Sequence, residues 1–281
     1  MRRRFVMPNP AEPLPLELET VGLNGEQEPI DRPQGYPCFH WLHTLEGEGE
    51  FEAEGLIWRL PPRSGVLLHP DMPHRYRAKT AIWQTAYVTF EGVLAADWVS
   101  SMFGPRALRI HWDAGEEGIT GQWERLLEAA EKGTDRSGWE QSADLYRFLT
   151  RLKTVGRTDH RPSMSRSMEK MQNLLEWLEL EYADPELSLA DMAARLGIGE
   201  RQLNERFRGL FGMPAYAYLI QLRIRKAKEK LPVLGGMTVG EIGEAVGFRD
   251  ASHFVATFRR KEGLTPDQYR RLYGSGSRGE R

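Results

Sequence analysis

The spacing of apolar and polar positions changes character along the chain. Between about residues 19 and 112 the apolar residues come in short runs punctuated by Gly and Pro. "CFHWLHTL" (38–45) sets large side chains in alternation, and "EGEGEF" and "EGL" put glycine turns between short runs. "RLPPRSGVLLHPDMPHRY" (59–76) reads as a turn, a buried strand and another turn, and "WQTAYVTFEG" (83–92) as a further β-rich run. Many short strands divided in this way predict a sandwich or barrel. Near Gly118 the period lengthens. "GITGQWERLLEAAEKG" and "SGWEQSADLYRFLTRLK" are amphipathic, with Leu145, Leu149 and Leu152 at helical spacing in the second. Two helices with a short Gly-containing connection predict a hairpin over 118–153. The Pro-rich residues 1–18 predict an arm. The polar stretch "TVGRTDHRPSMSRS" predicts a linker over 154–166, and everything after it looks helical.

The helical part contains an internal near-repeat. "SLADMAARLGI" (188–198) matches "TVGEIGEAVGF" (238–248) at an offset of 50. Each copy opens with a capping box, Ser188 with Asp191 and Thr238 with Glu241, which satisfies free N–H groups at a helix start. Each has a small residue four positions before a glycine: Ala193 before Gly197, and Gly243 before Gly247. The small residue lets a second helix approach closely, and the glycine suits the left-handed residue that ends the first. This is the pattern of a helix-turn-helix. The second helices are "ERQLNERFRGLFG" and "DASHFVATFRRKEG", now at an offset of 51, so the second turn is one residue longer. "PAYAYLIQLRIRKAKEKL" (214–231) joins the units. As a helix it spans roughly 27 Å, close to the ~34 Å of one DNA turn, so it could hold two recognition helices in successive major grooves.

Composition sharpens this reading. The 281 residues suggest two domains. A single cysteine, Cys38, excludes an internal disulfide or a cysteine zinc site and fits a reducing cytoplasmic setting. No apolar run has the length of a signal peptide or a membrane span. The net charge of −2 hides a split: residues from Ser165 onward carry 19 Lys/Arg against 16 Asp/Glu. Residues 201–230 hold eight cations opposed only by Glu205 and Glu229. A locally basic half points to an anionic partner.

"FVATFRRKEGLTPDQYRR" (254–271) has an aromatic, a basic pair, a Gly, then a Pro and a Tyr followed by Arg. At that spacing the last hundred or so residues resemble the DNA-binding domain of AraC/XylS-type transcription regulators. The resemblance implies a double-stranded DNA operator and RNA polymerase as partners, a homodimer, activation as the usual mode, no cofactor and no enzymatic activity. Positions facing away from the core phenylalanines are the candidate DNA contacts: Arg201, Gln202, Asn204, Glu205 and Arg208 in the first unit, and Ser252, His253, Val255 and Ala256 in the second. Arg pairs with guanine, Asn or Gln with adenine, and Glu accepts from cytosine. Ala256 cannot hydrogen-bond a base edge. The first unit is therefore expected to read sequence, while Arg259 and Arg260, with Lys261, Arg270 and Arg271, anchor on phosphate.

The front half also resembles this family, in its arabinose-responsive branch. "IDRPQGYPCFHWLHTLEGEG", "GVLLHPDMPHRY" and "WQTAYVTF" carry the likeness. It implies a cupin-like sensor barrel for a small effector, most simply a monosaccharide such as arabinose. The branch's sugar-binding arginine and tyrosine correspond to Arg32 and Tyr76. Thr85 stands where the branch has a histidine, and Tyr87 where it has a tryptophan. His74 and Trp83 complete the candidate set. The N-terminal arm is expected to fold over the effector, and Leu145, Leu149 and Leu152 are expected at a dimer interface.

His40, His43, His69 and His74 raise a rival, a metal-dependent cupin enzyme fused to a DNA-binding domain. His40 and His43 fall on opposite faces of one strand, however, so no metal is expected. A regulator controlled by a protein partner, with a filled barrel, is the other alternative. The expected architecture is an α+β multidomain chain: arm 1–18, cupin-like β-barrel 19–117, helical dimerisation hairpin 118–153, linker 154–166, and an all-α domain with two helix-turn-helix units over 167–275.

Overall fold

The computed structural model describes residues 2–113, 118–135, 137–158 and 163–274. Parts of the expected linker and the ends of two expected domains, at 117 and 275, lie outside these residues. The chain divides into two compact units, residues 1–166 and 167–281.

The first unit is built on one antiparallel sheet. Its strands are β1 (Arg2–Val6), β2 (Glu17–Asn24), β3 (Ile30–Arg32), β4 (Phe39–Ala53), β5 (Leu56–Leu60), β6 (Ser64–Leu68), β7 (His74–Glu91) and β8 (Leu108–His111). Their order is β1-β2-β7-β4-β6-β8, with β3 on β7 and β5 on β4. The long strands β4 and β7 pair from Phe39 opposite Phe90 to Ala53 opposite His74. Their register slips at Thr44/Glu46 and Gly47/Gly49. Here the structure corrects the sequence reading. "EGEGEF" is no turn between strands but an irregularity inside one 15-residue strand. Gly47 takes φ +76°, and a Cβ on Gly49 would lie 2.1 Å from the Trp83 ring. The glycines bend the strand and admit that indole.

Alternation puts a core on each face of the sheet. Trp41, Val88 and Phe90 pack with the helices. Leu42, Phe51, Leu68, Tyr76 and Trp83 pack inside the fold of the sheet. Helix α1 (Ala95–Phe103), missed in a stretch that reads as strand, buries Ala95 and Val99 four residues apart. Helices α2 (Gly118–Lys132) and α3 (Trp139–Val155) form the expected hairpin. Asp135 fixes its turn, accepting from Gly138 N at 2.9 Å and Gln141 N at 3.0 Å.

Two further expectations are corrected in this unit. Leu145, Leu149 and Leu152 are at most 1% exposed. They cover the sheet of their own chain, because the apolar stripe of an amphipathic hairpin satisfies the nearest apolar face first. They are therefore not free to meet a second copy. The outward side of α3 carries Trp139 and Tyr146 instead, with the Trp98 ring 4.9 Å from Tyr146. Nor are residues 1–18, expected as a Pro-rich arm, without a strand of their own. Arg2–Val6 pairs with β2, and Leu14, Leu16 and Leu18 are buried. The prolines shape the connection rather than free it.

The second unit follows the repeat closely. Helix α4 (Met164–Glu181) starts inside the expected linker. Then come α5 (Leu189–Arg195), α6 (Glu200–Phe211), α7 (Ala215–Lys230), α8 (Val239–Ala245), α9 (Ala251–Glu262) and α10 (Pro266–Tyr273). Both capping boxes form, and Thr265 with Gln268 makes a third at α10. Gly197 and Gly247 take positive φ after α5 and α8. A Cβ on Gly243 would sit 2.8 Å from Phe254, so the small residue does admit the second helix. α7 feeds two cores. Ala215, Leu219 and Leu222 join the core of the first helix-turn-helix around Leu203 and Phe207, while Ile224, Ala227 and Leu231 join that of the second around Phe254 and Phe258.

Candidate functional site

A cavity of about 500 Å³ opens in the first unit. Its lining comes from β1 (Arg2, Arg4), β2 (Thr20, Asn24), the following loop (Gly25, Glu26, Gln27, Glu28), β3 (Ile30, Arg32), Tyr36, β4 (His40) and β7 (Tyr76, Tyr87, Thr89). That volume is ordinary for a small-molecule site, and the wall mixes aromatic faces with polar tips. Arg32 stands with its Cζ 4.6 Å from the Tyr36 ring centroid, and its Nη1 is buried without a partner. The Tyr36 hydroxyl donates to Glu19 Oε2 at 2.9 Å. Burial and that bond push the Tyr36 phenol up to about 12. Burial also pushes Tyr76 up to about 12. His40 is 3% exposed, and its Nδ1 is unpartnered. Burial, then His74 and then Arg32, hold its pKa well below the ordinary histidine value, so the ring is neutral.

Of the residues picked from sequence, Arg32, Tyr76 and Tyr87 line this cavity; Thr85, His74 and Trp83 do not. Thr85 is fully buried and donates to Gln27 Oε1 at 2.7 Å, so it holds a wall residue instead of forming wall. The Trp83 indole donates to Thr44 Oγ1 at 2.9 Å, and its ring stands edge-on behind Tyr76 at 6.0 Å. His74 is bonded through Nδ1 to Met72 O at 2.8 Å and lies beside Phe51 and Tyr76, which stack on each other at 5.2 Å. All three share a face of β7 with the wall residues, His74 with Tyr76, and Trp83 and Thr85 with Tyr87, so strand alternation alone does not separate wall from core. Sequence reading missed Arg2, Arg4, Gln27, Tyr36 and Thr89. The signal for the arginines was there, since alternate residues of a strand share a face. It was lost when residues 1–18 were read as an arm.

The histidines do not converge. His40 faces the cavity. His43 lies on the other side of β4, accepting from Trp41 Nε1 at 3.0 Å among the rings of Trp112 and Trp123. His69 bonds Gly104 O at 3.0 Å. Among the described residues no three His, Cys, Asp or Glu side chains gather as a metal set.

In the second unit the helices that follow the two turns are α6 and α9. Arg201, Gln202, Glu205 and Arg208 are exposed on α6, with Arg201 paired to Glu205 at 3.0 Å. Asn204 departs from expectation. It is half-buried, and its Oδ1 accepts from Ala215 N at 3.0 Å, closing one of the free N–H groups at the start of α7. That oxygen is committed to the fold and cannot complete a bidentate contact to adenine. On α9, Ser252, His253, Ala256, Arg259 and Arg260 are exposed, while Val255 packs partly against the core. Asp250 caps the helix through His253 N.

The basic stretch 201–230 is less open than its sequence implies. Arg223 is 2% exposed, donating from Nε to Tyr182 O at 2.8 Å and from Nη2 to Asp184 O at 2.7 Å. Arg225 and Lys226 pair with Glu179, and Lys228 with Glu262. The balancing carboxylates come from α4 and α9, outside the window in which the charge was counted. Arg270, expected at phosphate, is half-buried, whereas Arg271 is exposed.

Comparison with known proteins matches residues 25–150 to the AraC-like ligand binding domain and residues 192–272 to a helix-turn-helix domain. Among curated relatives, the MmsAB operon regulatory protein of Pseudomonas aeruginosa is 26% identical over 244 residues, covering 85% of this chain and 76% of that protein. The arabinose operon regulatory protein of Escherichia coli is 23% identical, with 86% and 83% covered. The HTH-type transcriptional activator RhaR of Pectobacterium carotovorum is 25% identical, with 80% and 85% covered.

Proposed function

The chain belongs to the AraC/XylS family of DNA-binding transcription regulators with a ligand-binding domain, and on that premise we propose that it is switched by a small molecule held in the first unit's cavity, a sugar such as arabinose or a related monosaccharide. The observation that carries this reading is the cavity wall itself. Arg32, Tyr76 and Tyr87 face one space of about 500 Å³, beside a buried guanidinium nitrogen and a buried imidazole nitrogen that have no partner. Buried donors left unpaired are costly, and a polyol supplies the missing acceptors while its C–H faces pack on the tyrosines.

Operator DNA is bound by α6 and α9. Arg201, Gln202 and Glu205 read base edges, while Arg208, Arg259 and Arg260 lie on phosphate. The regulator works as a homodimer that activates by contacting RNA polymerase, and the outward side of α3, with Trp139 and Tyr146, is the face open to a second copy. The effector acts through its differential affinity for two arrangements of the chain.

The test is thermal unfolding of the full chain against a panel of monosaccharides led by L-arabinose. A ligand at about 100 times its Kd stabilises its domain by about 2.7 kcal/mol. A shift with one sugar that disappears in Arg32→Ala supports the reading. A panel that leaves the first unit's transition unmoved rejects a monosaccharide effector.

A further inference from the structure

Arg3, Arg59, Arg75, Arg77 and Arg157 in the first unit each pair with a carboxylate. Among the described residues Arg2, Arg4 and Arg32 pair with none, as do the exposed Arg63, Arg106 and Arg125; what sets the first three apart is that they line one cavity. Strand geometry brings them there. Arg3 and Phe5 turn to the helices, where Arg3 meets Glu131 and Phe5 packs on the core. Arg2 and Arg4 fall on the other face of β1. Arg4 stands opposite Gly22 on β2, and Gly22 stands opposite Tyr87 on β7. A Cβ on Gly22 would lie 2.4 Å from the Tyr87 hydroxyl. The missing side chain therefore lets that hydroxyl lie across β2 towards Arg4. Arg32 approaches from β3, with its Nη1 buried and free.

The carboxylates nearby form no salt bridge with these arginines. Glu19 accepts from the hydroxyls of Tyr36 and Thr89 and keeps its charge, which Arg4 favours from a distance. Glu26 and Glu28 sit exposed on the loop after β2, and neither pairs with the three arginines. A neutral sugar has no use for three unpaired guanidinium groups. A carboxylate matches the arginine fork in charge and shape.

We infer that the effector is a polyhydroxy monocarboxylate, a sugar acid rather than a neutral sugar, with its carboxylate between Arg32 and Arg4 and its hydroxyls towards Tyr87, His40 and Gln27. This rests on the proposed role of the cavity and narrows its ligand class.

The experiment is isothermal titration calorimetry of the full-length protein with matched pairs: L-arabinose against L-arabinonate, and D-galactose against D-galacturonate. One acid is expected to bind at least tenfold more tightly than its neutral partner, with affinity falling as salt rises. Arg4→Gln changes an exposed side chain on an edge strand and leaves the core untouched. It is expected to weaken the acid at least tenfold and to leave the neutral sugar within twofold. A neutral sugar that binds as well as its acid, or an Arg4→Gln variant that affects both alike, overturns the inference and leaves the sugar reading standing. Binding of neither member of either pair overturns both.

Discussion

His43 makes the first unit acid-labile by an amount that follows from its surroundings. The ring is fully buried, and its Nδ1 accepts from the Trp41 indole at 3.0 Å. That bond requires Nδ1 to be unprotonated, and burial holds the pKa down at about 3. The unfolded chain takes up a proton as pH falls through about 6.5, whereas the folded chain does so only near 3. Stability is therefore unaffected above 6.5 and is lost between 6.5 and 3 at about 1.4 kcal/mol per pH unit. At pH 4.5 the loss from this one residue is about 2.7 kcal/mol. Denaturant unfolding read by tryptophan fluorescence reports on the right unit, because Trp177 alone among the tryptophans lies in the second. The comparison is between the native chain and His43→Phe at pH 7.5 and 4.5. The variant leaves the Trp41 N–H unpaired, which costs about 1–3 kcal/mol at both pH values. Titration of Glu19, His40 and His74 is common to both proteins and cancels. The native chain should lose about 2.7 kcal/mol more than the variant. Equal losses in the two proteins would refute the assignment of a neutral, charge-intolerant His43.

Three further outcomes are expected. Asn204→Ala should destabilise the second unit by about 0.5–2 kcal/mol, the usual worth of a helix-start acceptor, and should change operator preference less than Gln202→Ala; denaturation and a binding-site selection separate the two effects. Arg223→Leu should cost about 1.5–3 kcal/mol, because the carbonyls of Tyr182 and Asp184 lose a charged donor, and calorimetry of the second unit's transition would detect it. Systematic operator mutagenesis should give larger penalties in the half-region under α6 than under α9, where Ala256 offers no hydrogen bond to a base; equal penalties would contradict the assignment.

The second unit was the more legible in sequence because its signals are local. Ser188/Asp191 and Thr238/Glu241 specify helix starts within four residues, and Gly197 and Gly247 specify the ends. What the sequence hid there is tertiary. Asn204 looks like a base reader until the start of α7 is placed beside it, and the charges of Arg225, Lys226 and Lys228 are balanced by Glu179 and Glu262 from distant helices. In the first unit the β texture was clear, but strand continuity was not. Gly47 and Gly49 look like a turn, and only the width of Trp83 explains why two glycines belong within a strand. The cavity was half legible. Arg32, Tyr76 and Tyr87 were found by resemblance, but Arg2 and Arg4 required knowing that the start of the chain is an edge strand. The leucines of α3 show the limit of periodicity, which predicts that a face is buried but not what buries it.

The double duty of α7 bears on how this protein can change its DNA target over time. One residue inserted in the middle of that helix turns everything after it by about 100°. Arg225 and Lys226 would then turn away from Glu179, and Arg249 from Glu186, because those carboxylates precede the insertion. The separation of α6 and α9, the helices proposed to read DNA, therefore cannot drift by single residues. It can move only in steps near a whole helical turn, and such steps would also displace α9 along the DNA by about 5 Å. On the proposed reading, new targets are accordingly open to substitutions on α6 and α9 but closed to changes in spacing. The variable part of the operator then lies within each half-region, and the distance between them is inherited with the helix.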